Sequence, residues 1–235
     1  MNAPSNDVRR ALVTGGNGNL GEAVARLLAQ SGYEVHITVY DEKARASFAY
    51  GLMKEGLHVH VADLSKAVDC ERLAGEIGGP LEALVATVGG FVGGPFGDID
   101  PAVIDQQYEL NLKSTLLTLR YAHPLLAASP GGAAVVLVAN RPALTSGPGV
   151  AVTAAMKAAV VHLARSLAQE WKGERITVNA VAPGVMDTPQ NRRDMPDADP
   201  TLWPTPTQVA TVIAFLLSQE GSIVSGGVLP VFGRS

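Results

Sequence analysis

A short apolar run, Ala11-Leu12-Val13, runs straight into glycines at 15, 18 and 21, and a helical apolar stripe begins immediately afterwards. Leu20, Val24, Leu27 and Leu28 share one face of that helix, and Gly32 sits where a C-terminal cap belongs. Strand, tight glycine turn and helix together aim free backbone N–H groups and a positive helix end at a phosphate. Gly15, Gly18 and Gly21 are therefore read as a nucleotide-binding turn; the plainer alternative is a glycine-rich connection with no ligand.

The rest of the chain alternates in the same manner, which predicts a parallel sheet covered by helices on both faces. Strands are expected at 35–39, 58–61, 83–88, 133–139, 176–181 and 228–232, after the first at 11–13. Helices are expected over 42–50, around Cys70 to Ile77, from 101 towards 126 with Pro124 as a kink or early end, and over 150–171. Asp100 as N-cap with Pro101 opens the third of these. Prolines at 183, 189, 196, 200, 204 and 206 interrupt the pattern, so 184–206 is expected to be a long substrate-side loop, often a lid. Thr205-Pro206-Thr207-Gln208 restores order as a capping box with proline at N1.

With 235 residues, 47% hydrophobic and 17% charged, the chain suits one globular α/β domain spanning 1–235. A net charge of −4 lacks the basic footprint of a nucleic-acid binder. The single cysteine, Cys70, rules out an intrachain disulfide and fits a reducing compartment. No stretch reads as a bilayer span and the first ten residues lack an apolar signal segment, so a cytoplasmic protein with no membrane partner is expected. No metal site is expected.

Ligands of such sheets bind beyond the carboxyl ends of the strands. Asp63 therefore reads either as a partner for an adenine amine or as a helix N-cap. Gly89-Gly90 reads either as a close backbone approach to a cofactor or as a bare turn. Asp41 lies near the distance at which an acidic residue holds ribose hydroxyls, whereas Lys43 and Arg45 suit a 2′-phosphate. NAD and NADP both stay open, with the two basic residues tilting the balance to NADP(H). Phe91, Phe96, Met186, Met195 and Trp203 are read either as an aromatic pocket lining or as ordinary packing.

The glycine loop, Asp63-Leu64, Asn111 in one long helix, Lys157 in the next, and Asn179-Ala180-Val181-Ala182-Pro183-Gly184 together resemble the short-chain dehydrogenase/reductase family over essentially the whole chain. Within it, the Gly89-to-Gly94 run and the segment Asp187 to Asp199 followed by Trp203 are similar to the dihydropteridine reductase branch. The resemblance implies a single-domain Rossmann fold with a doubly wound seven-stranded sheet. It implies an NAD(P)(H) cofactor, with Asn17, Gly18, Asn19 and Leu20 on the pyrophosphate, Asp63 and Leu64 near adenine, and Gly89-Gly90 under the ribose. Lys157 would hold the nicotinamide ribose, and Pro183, Gly184 and Thr188 the carboxamide side. It also implies a homodimer or homotetramer paired through the two longest helices.

Two positions depart from that pattern. The family's proton donor is a tyrosine four residues before the helical lysine, on the same helix face. Here Thr153 stands there, and an aliphatic hydroxyl does not ionise near neutral pH. Asn140 stands where the family has a serine and can still donate a hydrogen bond. The catalytic candidates are thus Lys157, Asn111, Thr153 and Asn140. The expected activity is reduction of a small pterin-like or otherwise activated substrate with altered proton delivery. The alternatives are a lyase, isomerase or dehydratase on the same scaffold, or a silent nucleotide-binding homologue.

Overall fold

The computed structural model describes residues 8–46 and 57–234. Seven strands, β1 Arg10–Thr14, β2 Glu34–Val39, β3 Leu57–Val61, β4 Ala83–Ala86, β5 Ala133–Val138, β6 Ile176–Pro183 and β7 Val228–Val231, form one sheet in the order 3-2-1-4-5-6-7. Every pairing is parallel. The near-continuous apolar runs of β4 and β5 follow from burial on both faces, because helices cover the sheet above and below.

Alternate residues along each strand feed two cores. Val13, Ile37, Val85 and Val136 pack with α1 (Asn19–Gln30) and with the helix Pro206–Leu217. Leu12, Leu84, Val135 and Val178 pack on the other side with α2 (Ala67–Ile77) and with the helices Ser114–Ala127 and Ala151–Glu170. The strand order reverses between β1 and β4, so the turns after these two strands flank the crevice where ligands of such sheets bind. Thr14 and Thr87 tie the two strand ends together: Thr87 N donates to Thr14 Oγ1 (3.1 Å) and Thr87 Oγ1 to Thr14 O (2.5 Å).

Several boundaries differ from expectation. The helix from Pro101 is interrupted: α3 (Pro101–Tyr108) passes through a π-helical turn, Glu109–Lys113, into α4 (Ser114–Ala127). Pro124 does not end α4, which runs on to Ala127: the fixed φ of proline is helical, and Ala128 N still donates to Pro124 O (3.1 Å). After a short α5 (Pro142–Thr145), α6 spans Ala151–Glu170. The stretch 184–206 is not structureless: Thr188 caps α7 (Pro189–Asp194), accepting from Asn191 N at 3.2 Å, and Asp199 caps a 3₁₀ turn, Pro200–Leu202. The capping box at Thr205 and Gln208 forms as expected and opens α8 (Pro206–Leu217). The helix expected over 42–50 is present at 42–46, and its remainder lies outside the described residues.

The expectation that no stretch is long and apolar enough for a bilayer does not hold for α6. With the turn that follows it, 151–174, it has 24 residues, and an 18-residue window within it reaches a mean hydropathy of 1.2. Its apolar face is a packing face: Val160, Val161 and Ala164 are buried in the cores beside the sheet.

Candidate functional site

The turn after β1 is shaped by close approach. Gly15 has φ +66°, and Gly15 N and Gly16 N are held by Thr38 Oγ1 (3.1 Å) and Thr38 O (2.9 Å). A Cβ on Gly21 would stand 2.2 Å from Gly15 O, so α1 can pack this tightly on the turn only with glycine there. The N-cap of α1 is Gly18 and no side chain caps it, so the helix presents its first N–H groups and its positive end outward. Gly15, Asn17, Gly18, Asn19, Leu20 and Gly21 all line a cleft of about 890 Å³ at the switch point.

The same cleft continues past Asp63 and Leu64, past Gly89 and Gly90, to Lys157, Asn140 and Thr188. Lys157, on α6, is only 5% exposed. Its Nζ donates to Val138 O (2.9 Å) and, more loosely, to Val88 O (3.4 Å), and burial pushes its pKa down to about 8. A Cβ at residue 89 would lie 2.7 Å from that Nζ and 2.8 Å from Asn111 Oδ1. Glycine there is what lets the backbone run over the lysine.

Asn111 is fully buried in the π-helical turn and does not line the cleft. Its Oδ1 accepts from Gly90 N (3.0 Å), and its Nδ2 donates to Gln107 Oε1 (2.8 Å). Thr153, 1% exposed, also stands back from the cleft. Its Oγ1 accepts from Val92 N (3.0 Å) and donates to Val92 O (3.1 Å), with Gln107 Oε1 3.4 Å away. Its hydroxyl is thus engaged by the Val92 backbone on both its donor and its acceptor side. Asn140 reaches the cleft, but its Oδ1 caps the turn before α5 by accepting from Ala143 N (3.1 Å).

Asp63 is neither free nor an N-cap of α2, whose N-cap is Lys66. Its Oδ1 accepts from Ser65 N (3.1 Å) and Ser65 Oγ (2.7 Å), and Lys66 Nζ lies 3.2 Å from Oδ2. Partial burial pushes its pKa up, but the hydrogen bonds from Ser65 and Lys66 outweigh that and hold the carboxylate below its usual range. Asp41 turns away from the cleft to cap Ala44 N (2.7 Å), and Tyr40 takes the cleft edge instead. Lys43 and Arg45 do not line the cleft, and Arg45 lies 3.5 Å from Glu42.

Pro183 and Gly184 shape the end of β6 without lining the cleft: Arg141 N donates to Pro183 O (2.8 Å) and Gly184 N to Val231 O (2.9 Å). Of the expected aromatic and methionine lining, Phe91 and Met186 face the cleft; Phe96, Met195 and Trp203 do not, and Trp203 is buried in packing. Gln107 was missed by sequence reasoning. Its signal was the i, i+4 spacing to Asn111 on one helix face.

A family model described as Enoyl-(Acyl carrier protein) reductase matches residues 16–233. Galactitol 2-dehydrogenase of Rhizobium johnstonii is 32% identical over 247 residues, covering 96% of this chain and 94% of the relative. A tropinone reductase homolog of Arabidopsis thaliana is 31% identical over 239 residues, covering 95% and 89%. The chain belongs to the short-chain dehydrogenase/reductase family. A solved short chain dehydrogenase/reductase family protein, 30% identical and covering 96% of both chains, superposes with a TM-score of 0.86. A short-chain type dehydrogenase/reductase from Mycobacterium ulcerans, 25% identical and covering 96% of this chain and 89% of its own, gives 0.89.

These short-chain dehydrogenase/reductase relatives bear out the seven-stranded Rossmann sheet. The family works with NAD(P)(H), and the uncapped α1 end, the glycine cradle and the lysine at the far end of one continuous cleft fit such a dinucleotide.

Proposed function

We propose that the protein is an NAD(P)H-dependent reductase that delivers its proton from Lys157 Nζ to a small, flat, activated acceptor of pterin-like or conjugated carbonyl character. The observation that carries this reading is a single cleft lined at one end by the uncapped α1 turn and at the other by a buried lysine. The nicotinamide, once bound, supplies the hydride. Asn17 to Leu20 hold the pyrophosphate on the α1 N-terminus. Lys157, pinned on Val138 O and Val88 O, keeps one N–H turned to the cleft. As the acceptor takes hydride at carbon, its nitrogen or oxygen takes the proton from Nζ, and the neutral amine then recovers a proton from solvent. An electron-poor acceptor needs less acid assistance than a plain ketone, which suits a site without a phenol. Phe91 and Met186 provide apolar surface for a flat ring.

NADP(H) is the preferred cofactor in this reading, because Asp41 is occupied as a cap and Asp63 is already bonded to Ser65 and Lys66. The 184–206 stretch acts as the substrate-side wall through Met186, Thr188, Gln190 and Asn191. NADPH consumption with a quinonoid dihydropterin and a panel of activated C=N and C=O acceptors tests the assignment. Turnover that disappears in Lys157→Met is expected. No turnover with any acceptor, while fluorescence titration shows NADPH bound, overturns it.

The engaged hydroxyl of Thr153 favours a second reading, in which the scaffold serves a non-redox reaction or binds nucleotide without catalysis. Substrate conversion with no change in nicotinamide absorbance would support that instead.

A further inference from the structure

We propose that Thr153 and Gln107 are positioning residues: a buried clamp that fixes the 89–94 segment over the cleft and so sets the height of Phe91 and Gly89 above Lys157. The segment Gly89-Gly90-Phe91-Val92-Gly93-Gly94 has four glycines, and Phe91 is 65% exposed. Its side chains offer little packing, and glycine backbone has more freedom to lose than any other. Hydrogen bonds to its backbone must supply the order.

Three anchors do so, at alternate residues. Gly90 N donates to Asn111 Oδ1 (3.0 Å), Val92 N and O engage Thr153 Oγ1 (3.0 and 3.1 Å), and Gly94 N donates to Gly149 O (2.9 Å). The central anchor treats Val92 as a neighbouring strand would, satisfying both of its backbone groups from one oxygen. Gln107 couples the first two anchors. Its Oε1 accepts from Asn111 Nδ2 (2.8 Å), which leaves Asn111 Oδ1 turned to Gly90, and the same Oε1 stands 3.4 Å from Thr153 Oγ1. Thr153 and Gln107 are 1% and 5% exposed, so water does not compete for these bonds.

The kinetic consequence rests on the reductase reading above, but the clamp itself does not. Hydrogen–deuterium exchange therefore tests it on the full chain without substrate, in Thr153→Val, Thr153→Ser and Gln107→Met. Valine keeps the shape of threonine and removes only the hydroxyl, whereas serine keeps the hydroxyl. Exchange across 89–94 about tenfold faster in T153V, near parent values in T153S, and unchanged in β5 and β6 is expected. Q107M should loosen the Gly90 end and provides the same comparison should T153V fold poorly. In an active enzyme, T153V should raise acceptor KM and lower kcat, and T153S should keep both near parent values. The proposal is overturned by parent-like exchange over 89–94 in both T153V and Q107M, by T153S loosening as much as T153V, or by loosening spread evenly over the domain. Absence of turnover in every variant overturns the reductase reading and leaves the exchange result standing.

Discussion

Lys157 carries the largest electrostatic tension in the site. Its ammonium is 5% exposed with only two backbone carbonyls for company, and its pKa sits near 8 rather than the ordinary 10.5. In the reductive direction the acid form is the working one, so kcat should be level below pH 8 and fall as pH rises through about 8. A pH–rate profile shows this, and K157M should remove at least about 100-fold of kcat below pH 8. The stability effect has the opposite sense. Between pH 8 and 10.5 the unfolded chain holds more protons than the fold, so Lys157 makes the protein more stable as pH rises across that window. K157M, which deletes a buried charge with little change in volume, should therefore keep or raise the melting temperature while activity is lost.

At the scale of elements, β2 and β3 carry a polar ladder on the face under α2. His36 is stacked between His58 and His60, with ring centroids 4.8 and 5.2 Å away. His36 Nδ1 lies 2.9 Å from His60 Nε2, and His60 Nδ1 2.7 Å from Glu76 Oε2. Because the Glu76 carboxylate accepts, His60 carries its proton on Nδ1 and receives the His36 Nδ1–H on Nε2. Burial, then repulsion from His60 and His58, pushes the His36 pKa down to about 4, against a smaller upward pull from Glu34; Arg10 and Arg72 flank the two carboxylates. The folded value lies below the ordinary 6.5, so the unfolded chain takes up a proton that the fold refuses. Stability should accordingly fall on acidification from pH 6.5 towards 4, by on the order of 2 kcal/mol from this residue. Urea unfolding across that range should show the slope, and His36→Asn should flatten it. In the helical layer, the π turn at Glu109–Lys113 is the element that rotates Asn111 onto Gly90.

For the whole molecule, α3 and α4 leave Tyr108 and Leu116 exposed at 41% and 38%. Pairing through this helix surface is the expected route to a homodimer or homotetramer. Light scattering after size exclusion should give a mass at least twice 24.4 kDa. Leu116→Glu combined with Tyr108→Glu should reduce it to the monomer without lowering NADPH affinity, since neither residue lines the cleft.

Local chemistry made much of the fold readable in the chain itself. Glycines 15, 18 and 21 after an apolar run can hardly serve anything but a strand–turn–helix, Asp100 and Thr205 announce their helices by the caps they form, and alternation of apolar runs with helical stripes forces a parallel sheet. The glycine turn that lines one end of the cleft was legible for the same reason, as its residues come from one continuous stretch. What the tertiary structure decided are matters of direction. Asp41 and Asp63 carry the right charge, but each spends it on its own loop. Gln107 is an ordinary helix residue until Thr153 arrives from α6 beside the oxygen that it already offers to Asn111 one turn on. Thr153, read from sequence as a defective acid, turns its hydroxyl to Val92, because a buried side chain satisfies whichever polar group the fold brings within reach. Sequence spacing determines what a residue can bond to nearby; only the packing of distant segments decides which bond it makes.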